Sequence, residues 1–302
     1  MDLISVVDVT DKLDTIFQGS EEMKKEAKKG IFREYLKDKS LAMIFEKPST
    51  RTRVSFEAAM TQLGGHAIHL GWGEMQLGRG ESLSDTAITL SKYVDGIVIR
   101  ANRHADVIEL GAHAEVPVIN GLSDLEHPCQ IISDLFTIRE KKGGFDGVKL
   151  AYIGDGNNTC NSLMLGCAMT GVDISMACPR GYEPDKEIFE DAKKIAVEKG
   201  SKLELMRDPK IAVKGADIIY TDVWVSMGQE EEEKKRLRDF QGYQVDTELL
   251  KKANNPLIMH CLPAKRGLEI TDDVLNSPNS IVFDQAENRL HVQKALLSLL
   301  LR

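Results

Sequence analysis

Short apolar runs alternate with amphipathic segments along nearly the whole chain. The runs have the length of buried parallel strands, and the segments between them repeat apolar residues at helical spacing. This alternation is typical of parallel sheets covered by helices. A break rich in glycine and charge at residues 141–147 interrupts it, and the alternation then restarts. We therefore predict an α/β fold of two doubly wound parallel-sheet domains with a cleft between them.

The pattern also predicts the boundaries of the elements and domains. After a polar, helical segment at residues 1–38, the first half has strands at 41–45, 66–70, 96–100 and 116–119, and helices at 53–64, 82–93, 104–113 and 128–141. The second half has strands at 149–153, 173–177, 202–206, 216–220, 257–260 and 280–283, and helices near 158–170, 186–199, 231–239 and 246–253. We assign residues 1–140 to the first domain and 148–285 to the second. A last helix, residues 286–302, is expected to pack back on the first domain.

Composition narrows the classes of function. The chain has 302 residues, of which 42% are hydrophobic and 28% are charged, as in ordinary globular domains. The net charge of −8 gives no electrostatic basis for nucleic-acid binding, and no apolar run is long enough to cross a bilayer. The five cysteines lack metal-ligand spacing, and the first residues lack the pattern of a secretion signal. We expect a cytoplasmic protein with no membrane or nucleic-acid partner and no metal site.

The turn at residues 45–53 has the chemistry of an anion site. It follows the apolar run 41–45 and precedes a segment in which Phe56, Ala59, Met60 and Leu63 share one helical face. Ser49 is a good N-cap, and the first N–H groups of a helix bind phosphate. Arg51 adds a planar fork that can grip phosphate through two hydrogen bonds.

Several strings in the chain resemble the aspartate/ornithine carbamoyltransferase family. Ser49-Thr50-Arg51-Thr52-Arg53 followed by Ser55-Phe56-Glu57 resembles its carbamoyl phosphate signature, and His127-Pro128-Cys129-Gln130 resembles a second motif. Asp222-Val223-Trp224-Val225-Ser226-Met227-Gly228 resembles the ornithine-binding loop, and His260-Cys261-Leu262-Pro263 resembles the ornithine branch of the family. The motifs stand in family order between residues 41 and 294.

The resemblance implies transfer of a carbamoyl group from carbamoyl phosphate to the side-chain amine of L-ornithine, without a cofactor, as a step of arginine metabolism. It assigns Arg51, Arg100, His127 and Cys261 to catalysis. The implied carbamoyl phosphate contacts are Ser49, Thr50, Arg51, Thr52, Gln76, Arg100, His127, Gln130, Cys261, Leu262 and Arg289. The implied ornithine contacts are Asn158, Asp222, Ser226 and Met227. In the family, the loop that carries Gln76 typically completes a neighbouring subunit's pocket, which implies a homotrimer or an assembly of trimers.

Other functions remain open from the residues alone. Carbamoyl transfer to aspartate or putrescine is a close alternative. Gly154-Asp155-Gly156 suggests a dinucleotide site, although Thr159 stands where the third glycine of that fingerprint belongs. A sensor that binds these ligands without turnover is a third alternative. The charge run from Glu230 to Arg236 is interpreted as a solvated helix, as is the run from Glu21 to Lys29.

Overall fold

The computed structural model describes residues 1–226 and 229–302 of the chain. These residues form two compact units, one of residues 1–136 with 287–302 and one of residues 137–286. Each unit has a parallel sheet, which confirms the α/β prediction. Within the described residues, no helix is long and apolar enough to span a bilayer.

The first unit is built on a four-stranded sheet. Its strands are β1 (Ser40–Phe45), β2 (His66–Gly71), β3 (Gly96–Arg100) and β4 (Val118–Leu122), in the order β2-β1-β3-β4. All neighbours are parallel, and Phe45 at the end of β1 pairs with Arg100 at the end of β3. Residues that follow β1 and β3 therefore leave the sheet at the same edge.

Helices connect and follow the strands of the first unit. They are α1 (Leu13–Ala27), α2 (Thr50–Gln62), α3 (Leu83–Ser91), α4 (His104–His113) and α5 (Pro128–Lys142), the last of which continues into the second unit. The side chain of Ser49 accepts a hydrogen bond from the Thr52 N–H at 3.4 Å, which confirms the predicted N-cap of α2. In α1, Lys24 is buried and its Nζ donates to Asn288 at 2.7 Å, so the prediction of a solvated face was wrong for this residue.

The second unit has a five-stranded parallel sheet. Its strands are β5 (Lys149–Ile153), β6 (Asp173–Ala177), β7 (Leu203–Met206), β8 (Ile218–Thr221) and β9 (Leu257–His260), in the order β7-β6-β5-β8-β9. Ile153 pairs with Thr221, and Thr221 pairs with His260. The segments after β5, β8 and β9 therefore begin side by side at one edge of the sheet.

Seven further α-helices lie in the described part of the chain. They are α6 (Asn158–Thr170), α7 (Lys186–Lys199), α8 (Pro209–Ala212), α9 (Glu233–Asp239), α10 (Thr247–Leu250), α11 (Asp272–Leu275) and α12 (Val282–Leu300). The predicted strand at 280–283 was wrong, because α12 begins at Val282 and Ser280 forms only an isolated bridge with Ile258. The side chain of Phe283 is 68% exposed, which a buried strand would not allow. From Glu287 onward α12 belongs to the first unit.

Candidate active site

The turn between β1 and α2 leads into the capped helix start that the sequence predicts. Ser49 is extended, with φ −153° and ψ 110°, and its side chain caps the helix. Arg51 lies half-buried in the first turn of α2, whereas Arg53 points into solvent and pairs with Glu57 at 2.9 Å. Thr50 is exposed. The helix start thus combines capped N–H groups, hydroxyls and one half-buried guanidinium.

Arg100 ends a strand in which every residue is buried. Its own side chain is 5% exposed, and its carbonyl accepts a hydrogen bond from the Glu46 N–H at 2.9 Å. The β1–β3 pairing places this guanidinium at the sheet edge from which the turn to α2 departs. Burying a guanidinium costs several kcal/mol unless anions or acceptors compensate for the lost water.

Arg289 of α12 connects the starts of α2 and α5. Its Nη2 donates to Thr52 Oγ1 at 3.0 Å, and its Nη1 donates to Gln130 Oε1 at 3.1 Å. Gln130 in turn donates from Nε2 to Asp134 Oδ1 at 2.9 Å. All four side chains are buried. This network holds three residues assigned to carbamoyl phosphate in one place, although Arg289 lies 237 residues from Thr52 in the chain.

Three arginines affect the electrostatic environment of His127. Its side chain is buried directly before α5, and burial lowers the pKa of its imidazole well below 6.5. Arg289, Arg100 and Arg51 lower this pKa further, in that order. The imidazole is therefore neutral at physiological pH, amid positive charge. We call Arg51, Arg100, His127 and Arg289 the arginine cluster.

The lowered pKa of His127 predicts how stability changes with pH. Below pH 6.5 the unfolded chain takes up a proton at this residue that the folded chain does not, so the free energy of unfolding falls as pH falls. At pH 5.5 the loss from this residue is about 1 kcal/mol. We expect wild type to lose about that much more than His127→Gln between pH 7.5 and 5.5 in urea unfolding. Equal losses would contradict the assignment.

Gln76 is not part of the arginine cluster. It begins a short 3-10 helix, Gln76–Arg79, and is exposed. Within residues 1–226 and 229–302, no hydrogen bond joins its side chain to Arg51, Arg100, His127 or Arg289. Its place in carbamoyl phosphate binding stays a prediction.

In the second unit, Asp222 and Cys261 lie together. Asp222 follows β8 and is buried, and its Oδ1 accepts hydrogen bonds from Cys261 Sγ at 3.0 Å and from the Val223 N–H at 2.8 Å. Its Oδ2 accepts from Asn157 Nδ2 at 2.8 Å. These contacts follow from the alignment of β5, β8 and β9. We call Asn157, Asp222 and Cys261 the carboxylate cluster.

The other residues assigned to ornithine flank the carboxylate cluster in sequence. Asn158 is the first residue of α6, and its Oδ1 accepts from the Thr159 N–H at 2.8 Å. Asn157, which the motifs did not single out, caps this helix through the Cys160 N–H and also holds Asp222. The Ser226 N–H donates to Gln229 Oε1 at 3.0 Å. Met227 lies outside the described residues.

Arg236 is a second residue that the sequence interpretation missed. It is 7% exposed, so the prediction of a solvated charge run was wrong for this side chain. Its Nη1 donates to Asp155 Oδ2 at 2.7 Å and to the Trp224 carbonyl at 3.0 Å. Burial raises the pKa of Asp155 to about 6, although the Arg236 guanidinium favours the ionised form. Arg236 therefore ties the segment after Asp222 to the segment after β5.

Gly156 has a packing reason to be glycine. A Cβ at this position would lie 2.2 Å from the Pro184 nitrogen and 2.3 Å from the Glu183 carbonyl carbon. The close approach of another backbone segment excludes any side chain here. The Gly154-x-Gly156 pattern thus has a structural explanation that requires no dinucleotide.

Asp222, His260 and Cys261 offer potential metal-ligand atoms that all lie within 4.8 Å of one another. Both ring nitrogens of His260 are already engaged, Nδ1 with the Leu262 N–H at 2.8 Å and Nε2 with Glu269 Oε1 at 3.2 Å. The Cys261 thiol donates to Asp222. We interpret the group as a hydrogen-bonded cluster.

The first parallel α/β unit carries the arginine cluster, and the second carries the carboxylate cluster. Matches to two family models identify the class of protein. The carbamoyl-P binding domain of aspartate/ornithine carbamoyltransferase matches residues 1–140, and the Asp/Orn binding domain of the same family matches residues 146–300. The chain belongs to the aspartate/ornithine carbamoyltransferase family.

Relatives and solved structures agree with this membership. The chain is 57% identical over 301 residues to an ornithine carbamoyltransferase of Archaeoglobus fulgidus, covering 99% of this chain and 97% of that protein. It is 53% identical to that of Methanosarcina acetivorans, covering 100% and 99%. The structure of the Pyrococcus furiosus ornithine carbamoyltransferase has a TM-score of 0.97 and 52% identity, covering 100% of this chain and 97% of that one.

Proposed function

We propose that this protein transfers the carbamoyl group of carbamoyl phosphate to the side-chain amine of L-ornithine, giving L-citrulline and phosphate. The observation that carries the proposal is the arginine cluster, in which three guanidiniums lie near enough to the buried imidazole of His127 to lower its pKa. A phosphate dianion is the ligand that such a concentration of cations suits best. Full-length similarity to ornithine carbamoyltransferases supports the same reaction.

The arginine cluster and the start of α2 bind carbamoyl phosphate in this account. The first N–H groups of α2, the hydroxyls of Ser49, Thr50 and Thr52, and the guanidiniums of Arg51 and Arg100 take the phosphate. The carbonyl oxygen gains negative charge during attack, and Thr52, Arg100 and His127 are its donors. Because His127 is neutral, it donates one hydrogen bond rather than a proton. One such donor is commonly worth about 3 kcal/mol.

Gln130, Arg289 and the Cys261–Leu262 backbone complete the proposed carbamoyl contacts. Gln130 and Arg289 are already oriented by their mutual hydrogen bond at 3.1 Å. Such preorganisation lowers the cost of aligning donors and acceptors with the carbamoyl group. Gln76 is proposed to contribute from a neighbouring subunit.

The carboxylate cluster binds the amino-acid end of ornithine. Asp222 takes the α-ammonium, Ser226 and Met227 complete that contact, and Asn158 takes the α-carboxylate. Asp222 is already fixed by Asn157, Val223 and Cys261, so its orientation requires no rearrangement. A carboxylate, an amide and a thiol suit an ammonium better than the second carboxylate of aspartate.

The reaction needs a neutral amine. An amine with a pKa near ~10.4 costs about 4.6 kcal/mol to deprotonate at pH 7. Its nitrogen then attacks the carbonyl carbon, the bond from that carbon to the phosphate oxygen breaks, and phosphate leaves with the electron pair. The proton released from the amine goes to the phosphate. Cys261 lies beside this amine as a positioning group or proton partner, and no covalent intermediate forms on it.

The requirement for a neutral amine predicts the pH profile. With carbamoyl phosphate saturating, we expect kcat/KM for ornithine to climb severalfold from pH 7 to 9, because the neutral side-chain amine rises about tenfold per pH unit. The gain should be smaller near pH 9, where loss of the α-ammonium that Asp222 binds opposes it. Citrulline formation at ornithine concentrations far below KM measures this value. A flat profile would show that deprotonation does not limit the reaction.

A comparison of three acceptors tests the proposed substrate. Purified protein is incubated with carbamoyl phosphate and ornithine, aspartate or putrescine, and the carbamoylated product is quantified. We expect citrulline to form at least a hundredfold faster than the other two products. Faster carbamoylation of aspartate or putrescine would overturn the choice of acceptor, and no product from any of them would favour a sensor.

We also propose a cytoplasmic homotrimer, alone or as part of a larger assembly of trimers, with a role in arginine metabolism. The five free cysteines support a reducing compartment. Exposed apolar side chains in the first unit, among them Val54, Ile68 and Ile88, support association of subunits. The exposed position of Gln76 fits a role in a neighbour's pocket.

Mixing two defective chains tests the contribution of Gln76 from a neighbour. Arg51→Met and Gln76→Ala are each expected to be weakly active alone. When they are denatured together and refolded at equal amounts, about one quarter of the sites in random trimers should contain neither change. Activity of the mixture well above that of either variant supports a shared site, and a simple average of the two contradicts it.

A further inference from the structure

The turn that carries Cys261 and Leu262 is held by a buried pair that the proposed reaction does not use. His260 ends β9 with its side chain fully buried, and its Nδ1 accepts a hydrogen bond from the Leu262 N–H at 2.8 Å. Its Nε2 lies 3.2 Å from Glu269 Oε1. Glu269 Oε1 also accepts from the Lys265 N–H. One carboxylate and one imidazole thus connect positions 260, 262, 265 and 269 of a single loop.

The hydrogen bonds fix the tautomer of His260. Because the Leu262 N–H donates to Nδ1, that nitrogen carries no proton, and the proton of the neutral ring lies on Nε2. Nε2 then donates to Glu269, whose carboxylate can only accept while it is ionised. Glu269 therefore selects the ring form that can hold the Leu262 N–H.

Leu262 needs this support. Its φ is +57°, a left-handed conformation that residues other than glycine adopt at a cost. The anchor at His260 is next to Cys261, whose thiol donates to Asp222 at 3.0 Å. A turn released from His260 would relax toward ordinary backbone angles and carry the thiol away from Asp222.

Glu269 lies in an environment that is unfavourable for a carboxylate. It is 0% exposed, and the only ionisable partner within salt-bridge distance of it among the described residues is His260. Its Oε2 lacks a hydrogen-bond partner within the described part of the chain. A buried carboxylate without a cationic partner destabilises a fold. Its presence is better explained by a task at the turn than by packing.

We propose that His260 and Glu269 are positioning residues for carbamoyl transfer, and that they act by fixing the Cys261–Leu262 turn. The catalytic part rests on the proposed function. The positioning itself is a property of the second unit and can be measured without any turnover.

Two amide substitutions at His260 test separately its hydrogen bond with the Leu262 N–H and its hydrogen bond with Glu269. In His260→Asn, the amide oxygen falls near the position of Nδ1 and still accepts a hydrogen bond from the Leu262 N–H. In His260→Gln, the longer side chain reaches toward Glu269 instead, and the Leu262 N–H loses its acceptor. Both bury one amide, so His260→Asn is the matched control for folding and polarity. Glu269→Met, which removes the acceptor of Nε2–H, is a third variant.

The first readout is the reactivity of Cys261. Cys129, Cys160, Cys167 and Cys178 are buried, so slow alkylation of the folded protein by iodoacetamide, mapped by mass spectrometry, reports on Cys261. In wild type the thiol is engaged in its hydrogen bond to the Asp222 carboxylate, so it is less free to attack the reagent. We expect alkylation at least fivefold faster in His260→Gln and Glu269→Met, and within twofold of wild type in His260→Asn.

The second readout is the split between kcat and KM. A displaced turn would misalign the reacting groups. We therefore expect kcat for citrulline formation to fall 10- to 100-fold in His260→Gln, with KM for carbamoyl phosphate within threefold of wild type. His260→Asn should keep most of kcat. Equal kcat and equal alkylation in the Asn and Gln variants would overturn the proposal, as would unaltered alkylation in Glu269→Met. If wild type itself makes no citrulline, the proposed function fails. The relative rates of Cys261 alkylation in the variants still decide whether His260 and Glu269 position the turn.

Discussion

Replacing Arg51 with methionine is expected to weaken carbamoyl phosphate binding at least 100-fold and to leave ornithine binding within threefold. Arg51 lies half-buried in the first turn of α2 and is one of three cations that lower the pKa of His127. Each charge-assisted hydrogen bond to phosphate contributes about 1.5–3 kcal/mol, and a bidentate guanidinium makes two. Methionine keeps the length and helix propensity of the side chain, so the fold should survive.

Arg53→Met is the matched control for Arg51→Met. The two arginines lie two positions apart in α2, but Arg53 points into solvent and pairs with Glu57 at 2.9 Å. An exposed ion pair of this kind contributes little. We expect Arg53→Met to change KM for carbamoyl phosphate less than threefold. Similar losses in the two variants would mean that helix α2, rather than the guanidinium of Arg51, is responsible.

Replacing Asp222 with asparagine is expected to raise KM for ornithine about 100-fold, with carbamoyl phosphate binding within threefold. Asp222 is buried and its carboxylate is oriented by Asn157, Val223 and Cys261. Removing one partner of a buried charge pair typically costs about 3–5 kcal/mol, and the amide recovers part of this through its remaining oxygen. Initial rates of citrulline formation, with each substrate varied in turn, measure both effects.

The control for Asp222→Asn is the same substitution at an exposed site of the second unit. Asp191 lies on α7 and pairs with Lys194 at 2.7 Å in solvent. Asp191→Asn should leave both KM values unaltered. If Asp222→Asn weakened both substrates equally, the separate assignment of ornithine to the carboxylate cluster would be wrong.

The sequence predicted most elements because their local signals agree with the final packing. The strands at 96–100, 149–153, 173–177 and 257–260 and the helices at 104–113, 158–170 and 186–199 have the predicted boundaries. In each, apolar content, spacing and flanking turn residues favour one structure.

The wrong predictions for the start of α12 and for Arg236 share a physical cause. In both segments, the fold buries polar side chains against residues that are distant in the chain. The start of α12 was interpreted as a strand because Ile281, Val282 and Phe283 are apolar. Its inward face carries Gln285, Asn288 and Arg289, which hide the helical periodicity. Arg236 was assigned to a solvated face because its neighbours are charged, and only the fold brings Asp155 to it, 81 residues away.

Local motifs predicted the site residues better than the contacts that support them. Ser49 and Pro128 have recognisable positions at helix starts, and Asp222 and Cys261 follow strands. Nothing local to Asn157 or Glu269 indicates that one holds Asp222 and the other holds His260. Such partners depend on the order β7-β6-β5-β8-β9 and on loop conformation, which pattern alone does not provide.

The most direct test of the account is the stoichiometry of transfer. Purified protein is given carbamoyl phosphate with and without ornithine, and phosphate and citrulline are measured in the same samples. We predict that phosphate release depends on ornithine and that one citrulline appears for each phosphate released by the enzyme. Enzyme-dependent phosphate release without ornithine, or phosphate in excess of citrulline, would contradict carbamoyl transfer as the function of this protein.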